Sequence, residues 1–265
     1  MGTQGPTSAL RLVGVGFTRD KRPILSDVDW EVACDQRWVV LGANGSGKTS
    51  LLRIAALYEH PTTGTVEVLG HRLGQVDVRR LRHQVGFVSP ALAQMLRPHL
   101  KAVDVVMTAR HGALEPWWHE YTDADRERAT SLLEQVGATG LGDRTIATLS
   151  SGERQRVQIA RSLMTDPGLV LLDEPASTLD LGGREMLVTD LTRLAADPSA
   201  PPLVMVTHRT EEIPAGFTHG LMLREGRVLA QGPLEDVLTS DSLSACFDLP
   251  LDLEHRNGRW HAQAR

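Results

Sequence analysis

Gly42-Ala43-Asn44-Gly45-Ser46-Gly47-Lys48-Thr49 matches the pattern G-x-x-x-x-G-K-[ST] at every constrained position. The apolar run Trp38-Val39-Val40-Leu41 leads into it and reads as a buried strand. Residues 50–57 leave it and read as a helix. A strand, a glycine-rich turn and a helix in that order wrap successive backbone N–H groups around a small space, and the helix N-terminus adds partial positive charge. Such a cradle takes phosphate. Gly42, Ala43, Asn44, Gly45, Ser46, Gly47, Lys48, Thr49 and Ser50 are therefore the expected nucleotide-binding residues. Lys48 is placed to reach the β- and γ-phosphates and the Thr49 hydroxyl to hold Mg²⁺. A nucleoside triphosphate is implied; its use is not.

Working outward, residues 10–16 and 28–32 alternate as strands do, with a turn at Arg19-Asp20-Lys21-Arg22-Pro23, so a small antiparallel sheet is expected. Residues 65–69 and 85–88 are two further short strands, separated by an Arg-rich polar segment. From residue 91 to about 148 no strand is expected. Residues 102–109 read as a helix, 112–121 as an aromatic loop, and 122–136 as a helix capped by Thr122 with Asp125 three residues on and ended by Gly137. The core then resumes: helix 152–164, apolar strand 168–172, helix 183–196, apolar strand 203–206. Apolar strands alternating with helices imply a parallel sheet covered on both faces, with ligands at the carboxyl ends of its strands. The expected class is α/β: a P-loop NTPase core with a mainly parallel sheet, an N-terminal antiparallel β subdomain and an inserted α-helical subdomain. Its expected parts are a flexible tail (1–9), an ATPase domain (10–232, helical subdomain about 91–148) and a C-terminal extension packing on the core (233–265).

A length of 265 residues with 41% hydrophobic and 23% charged residues is ordinary for a globular protein. Net charge is −5 without a basic block, which argues against a nucleic-acid partner. No apolar run approaches the roughly 18 residues of a membrane span. Residues 1–8 lack the basic and apolar regions of a secretory signal. Cys34 and Cys246 lie far apart, without metal-site spacing, and read as buried reduced thiols.

Asp173 follows four apolar residues, the position of a Mg²⁺-organising acid. Glu174 beside it is placed to polarise an attacking water. His208, after the next apolar strand, is placed to hydrogen-bond the γ-phosphate. Leu149-Ser150-Ser151-Gly152-Glu153-Arg154-Gln155 opens a helix with small residues, a second phosphate-binding surface.

Together these elements resemble the ATP-binding subunit of an ATP-binding cassette (ABC) transporter, over about residues 10–232. The order carries the likeness: phosphate loop at 42–49, signature at 149–155, acidic strand end at 169–174, D-loop Ser177-Thr178-Leu179-Asp180 and switch His208. The resemblance implies ATP hydrolysis with Glu174 and His208 as catalytic residues, Thr49 and Asp173 on Mg²⁺, and Phe17 stacked on adenine. It also implies a head-to-tail homodimer in which Ser150, Ser151, Gly152 and Glu153 close over ATP held by the second subunit, with Asp180 in the D-loop. The signature departs from the usual Leu-Ser-Gly-Gly-Gln at Ser151 and Glu153. After Val85-Gly86-Phe87-Val88-Ser89 the family places a Gln; this chain has Pro90, and Gln94 is the nearest substitute for a metal contact.

Residues 104–110 resemble import subunits for iron–siderophore, vitamin B12 and molybdate-type cargo. A separate membrane permease, a metal-chelate or oxyanion cargo and a cytoplasmic location against the inner membrane face follow from that likeness. A soluble regulatory ATPase without permease is the competing reading. A nucleic-acid-linked ATPase would normally carry two cassettes or a long coiled-coil insertion. In the aromatic loop, Glu115, Trp117, Trp118 and Tyr121 either grip a partner or pack within their own subdomain.

Overall fold

The computed structural model describes residues 8–265. Strands β1 (Ser8–Arg19) and β2 (Arg22–Ala33) form an antiparallel hairpin. Its Asp20-Lys21 turn has φ of 50° and 64°, the left-handed pair whose twist matches that of the strands. Strand β3 (Arg37–Leu41) enters a second sheet, and α1 (Lys48–Ala55) leaves the glycine-rich turn that follows. Strands β4 (Thr63–Val68) and β5 (His71–Arg72) return to the first sheet, in the order β2-β1-β4-β5. The Arg-rich segment then forms α2 (Val78–Arg82), capped by Asp77, and β6 (Val85–Val88) joins the sheet of β3.

Helices α3 (Pro90–Met95), α4 (Ala102–Met107) and α5 (Asp123–Gln135) build the helical block. Its one extended pairing among the described residues is an isolated bridge between Lys101 and Thr145. Thr122 and Asp125 close a reciprocal capping box at the start of α5, and Gly137 (φ 71°) follows its end. Next come α6 (Ser151–Leu163), β7 (Leu169–Asp173), α7 (Leu181–Ala196), β8 (Leu203–Thr207), β9 (His219–Arg224) and β10 (Arg227–Pro233). The second sheet runs β10-β9-β3-β8-β7-β6, with every pairing parallel except β9–β10. This is the expected α/β class. The last segment, residues 233–265, contains α8 (Leu234–Val237), α9 (Ser240–Phe247) and the hairpin β11 (Leu251–Arg256)–β12 (Arg259–Ala264).

Strands β3, β7 and β8 are buried along their whole length, so they read as continuous apolar runs. The side-chain period of two then splits them between two cores. Val39, Leu41, Val170, Leu172 and Met205 face the helical block, α6, α7 and α9. Trp38, Val40, Leu171, Val204 and Val206 face α1 and the antiparallel sheet. Each fully buried Leu or Val contributes about 1.5–3 kcal/mol relative to exposure. A buried ion pair, Arg156 to Asp190 at 2.8 Å, ties α6 to α7.

Three details differ from the sequence expectations. Ser8 and Ala9 belong to β1 rather than to a tail, and Ala9 is fully buried; the remaining tail, residues 1–7, lies outside the described residues. Cys34 is exposed at the β2–β3 turn, while Cys246 is buried. Pro90 opens a helix: Ser89 caps α3 by accepting from the Leu92 N–H at 3.3 Å, and proline suits the first helical position because no N–H is required there.

Candidate active site

The chain delivers its polar residues to the carboxyl ends of three adjacent strands. The glycine-rich turn follows β3, Asp173 ends β7 with Glu174 next, and His208 follows β8, which lies between the two. Gly42 has no room for a side chain: a Cβ would come within 2.3 Å of the Leu223 carbonyl and 2.6 Å of Ser46 Oγ. Gly47 (φ 103°) caps α1 in the left-handed region with no side-chain cap. The first N–H groups of α1 are thus left for an anion.

The donor set fits a polyphosphate. Ser46 Oγ is buried with no hydrogen-bond partner. Lys48 is 4% exposed, and its ammonium donates to the Gly42 and Ala43 carbonyls at 2.8 and 2.9 Å. Burial pushes the Lys48 pKa down, opposed by Glu174 and Asp173. Ala43, Asn44, Gly45 and Ser50 line the same turn and helix start.

Thr49 Oγ1 donates to Asp173 Oδ1 at 3.1 Å, which brings together the two residues expected to hold Mg²⁺. Asp173 is 4% exposed, and burial raises its pKa to about 6 against the Thr49 hydrogen bond. A buried carboxylate with an unmet cost of ionisation suits a divalent cation. Thr49, Asp173 and Glu174 share a cavity of about 220 Å³ with Arg53, Ser89 and Pro90.

Glu174 has φ 46°, in the left-handed region, immediately before Pro175. Such a conformation is costly for a non-glycine residue and is found where surrounding structure enforces it. Its N–H is held by the Val206 carbonyl at 3.0 Å. Its carboxylate lies 3.6 Å from His208 Nδ1, which is buried and has no hydrogen-bond partner. Asp180 accepts from the Gly183 N–H at 2.7 Å and so caps α7.

Within the single chain, Phe17, Glu153 and Gln94 have other neighbours than those expected of them, and the exposure of Trp117 and Trp118 decides between their two readings. Phe17 is 7% exposed in the core, with the Arg19 guanidinium 5.3 Å from its ring centroid. The cation thus lies over one face of the ring. Glu153 is engaged: its carboxylate accepts from the Ser150 N–H at 2.7 Å and pairs with Arg144 at 2.9 Å. The Ser150 N–H and Arg144 hold its pKa below the usual range, and it completes the cap of α6. That explains how a carboxylate is tolerated where the family has Gln. Gln94 is exposed on α3 and lines, with Ser151 and Gln155, a different cavity of about 500 Å³ that reaches Asp173 and Glu174 but not Thr49. Trp117 and Trp118 are 58% and 81% exposed and stack on each other at 5.5 Å, so they do not pack inside their subdomain.

The model of the ABC transporter family matches residues 25–177. The ABC transporter ATP-binding protein YlmA of Bacillus subtilis is 40% identical over 243 residues, covering 91% of this chain and 92% of that one. The hemin import ATP-binding protein HmuV of Rhodococcus jostii is 31% identical over 251 residues, covering 93% and 82%. The dimeric post-hydrolysis structure of the cassette MJ0796, bound to ADP and Pi, shares the fold with a TM-score of 0.73 at 24% identity, covering 85% of this chain and 98% of that one.

Proposed function

This chain belongs to the ABC transporter family as one of its ATP-binding, ATP-hydrolysing subunits, and from that premise we propose that two copies close over ATP to drive a separate membrane permease. The convergence of Lys48, Thr49, Asp173, Glu174 and His208 at three adjacent strand ends carries this reading. The phosphate loop and the α1 N-terminus bind the polyphosphate. Thr49 and Asp173 would hold Mg²⁺, which supplies charge neutralisation at the phosphates. Glu174 orients and deprotonates water, and His208 hydrogen-bonds the γ-phosphate. Ser150, Ser151 and Gly152 of the second copy complete the site. The dimer of MJ0796 supports that arrangement.

The partner is a permease importing a metal chelate or an oxyanion, with this chain on the cytoplasmic face of the membrane. The hemin-import relative supports that direction and cargo class. No helix among the described residues is long and apolar enough to cross a membrane. A cleft of about 470 Å³ between α2, β6 and the helical block suits docking. Arg79, Arg82 and Arg161 line it, without any carboxylate and without ion pairs of their own among the described residues, in a chain of net charge −5. Phe87, Met95 and Leu114 form its apolar wall. An acidic amphipathic segment of the permease matches that lining. Affinity purification from membranes in mild detergent is expected to recover a polytopic protein; recovery of a soluble partner, or of none, selects the regulatory reading.

Removing the exposed indoles and reversing one cleft charge separates docking from catalysis. Trp117→Ala/Trp118→Ala and Arg79→Glu should each lower permease-stimulated ATPase activity by roughly tenfold, the size of one or two interface hot-spot contacts, while basal hydrolysis stays within about twofold. Full stimulation in both variants would rule out docking at this face.

A further inference from the structure

The segment after β8 carries His208, yet nothing on the His208 side chain holds it. Its Nδ1 is buried without a hydrogen bond, and the nearest carboxylate oxygen is 3.6 Å away. Its position is therefore set by the backbone of residues 207–212. Part of that hold is local. Glu212, 4% exposed, accepts from Thr207 Oγ1 at 2.5 Å, and the same hydroxyl accepts from the Arg209 N–H at 3.1 Å.

Arg184 of α7 also pairs with Glu212 at 3.6 Å, and a further hold comes from far along the chain. Arg259, on β12, donates through Nη1 and Nη2 to both carboxylate oxygens of Glu185 on α7, at 2.9 and 3.1 Å. Its Nη2 also donates to the Glu211 carbonyl, in the single 3₁₀ turn Thr210–Glu212. One planar guanidinium thus fastens the turn after His208 to α7, the helix that begins at the D-loop Asp180. A two-oxygen fork plus a carbonyl is a geometry that lysine cannot reproduce. The hairpin presenting Arg259 is itself anchored. Its Asn257-Gly258 turn has φ of 53° and 73°, His255 and Trp260 stack at 4.2 Å, and the Trp260 ring packs against the main core.

We propose that Arg259 is a positioning residue for ATP hydrolysis: from the C-terminal hairpin it holds the His208 segment in register with α7. The claim rests on the reading of His208 as a γ-phosphate contact. It makes the last residues of the chain part of the hydrolytic machinery rather than a cover for the core. Nucleotide binding, which belongs to the 42–49 loop, is left untouched by it.

Steady-state ATPase kinetics on Arg259→Gln, His208→Ala and the double variant test it, with thermal unfolding of each as a control for folding. Loosening a contact group by a fraction of an ångström costs roughly tenfold in rate. Arg259→Gln should therefore lower kcat roughly tenfold with KM for ATP within about twofold. In the His208→Ala background the same change should cost less than about twofold, because the group it positions is gone. Equal losses in both backgrounds, or KM rising as kcat falls, would mean a general structural role and overturn the proposal. A slow His208→Ala beside an unimpaired Arg259→Gln overturns it alone; a His208→Ala protein at full rate overturns the reading of His208 and the proposal with it. If Arg259→Gln does not fold, the cycle is run with Glu185→Gln, which loosens the same fork from α7 and must show the same dependence on His208.

Discussion

Glu174→Gln is expected to bind ATP, accumulate as a dimer twice the mass of one chain, and hydrolyse roughly 10²–10⁴-fold more slowly, the range associated with losing a general base. Glutamine keeps the length of the side chain and its ability to accept a hydrogen bond, but it cannot take a proton from water. The backbone reason for choosing this residue is its left-handed φ of 46° ahead of Pro175. That conformation turns the side chain off the line of β7, whose last residue Asp173 is occupied by Thr49 Oγ1 at 3.1 Å. The tasks proposed for the two neighbouring acids are therefore separate, one toward the metal and one toward water. Size-exclusion chromatography with Mg-ATP and a phosphate-release assay check both halves of the expectation. Hydrolysis within about twofold of the unaltered chain would remove Glu174 from the role of base.

What could be read from the residues alone divides along physical lines. The phosphate loop, the acidic strand end and the α5 capping box were legible because each rests on local rules: positive φ at glycine, continuous apolar burial, reciprocal side-chain to backbone bonds over three residues. The contact of Arg19 with the Phe17 ring was not, because the period of two puts both on one face of β1 without saying that the guanidinium lies over the ring. Glu153 was read by its position in the signature, although Ser150 three residues before it already spells a capping box; its pairing with Arg144, nine residues away, is what no local rule announces. The start of α3 was available in Ser89-Pro90, a cap followed by a proline at the first helical position, where Pro90 was read only as a departure from the family's Gln. Similarly, Asn257-Gly258 between alternating residues is a strong hairpin signal that marks β11 and β12. The hairpin's link to the site through Arg259 spans 48 residues to Glu211 and no local pattern announces it.

Asp173→Asn should make the nucleotide-free protein more stable while abolishing Mg²⁺-dependent hydrolysis. Asp173 is 4% exposed, and its pKa in the folded chain, about 6, lies above the ordinary 3.8 because burial disfavours the charge. The folded state thus binds more protons than the unfolded one between those two values, and stability falls as pH rises through that window. Above about pH 6 the full cost of the buried charge is present; below about 3.8 it is absent. The difference of about two pH units corresponds to about 3 kcal/mol, or a melting temperature higher by roughly 5 °C or more in a chain of this size. Asparagine removes the charge and still offers Oδ1 to the Thr49 hydroxyl. Thermal unfolding in EDTA at pH 8 and pH 5 reads the effect: the variant should lead clearly at pH 8, and its lead should shrink at pH 5 as the unaltered carboxyl takes up its proton. A variant that melts below the unaltered chain at pH 8 would mean that the ionised Asp173 is stabilised by contacts beyond Thr49, Lys48 and Arg53. Burial of Asp173 would then no longer account for the site's readiness to take a divalent cation.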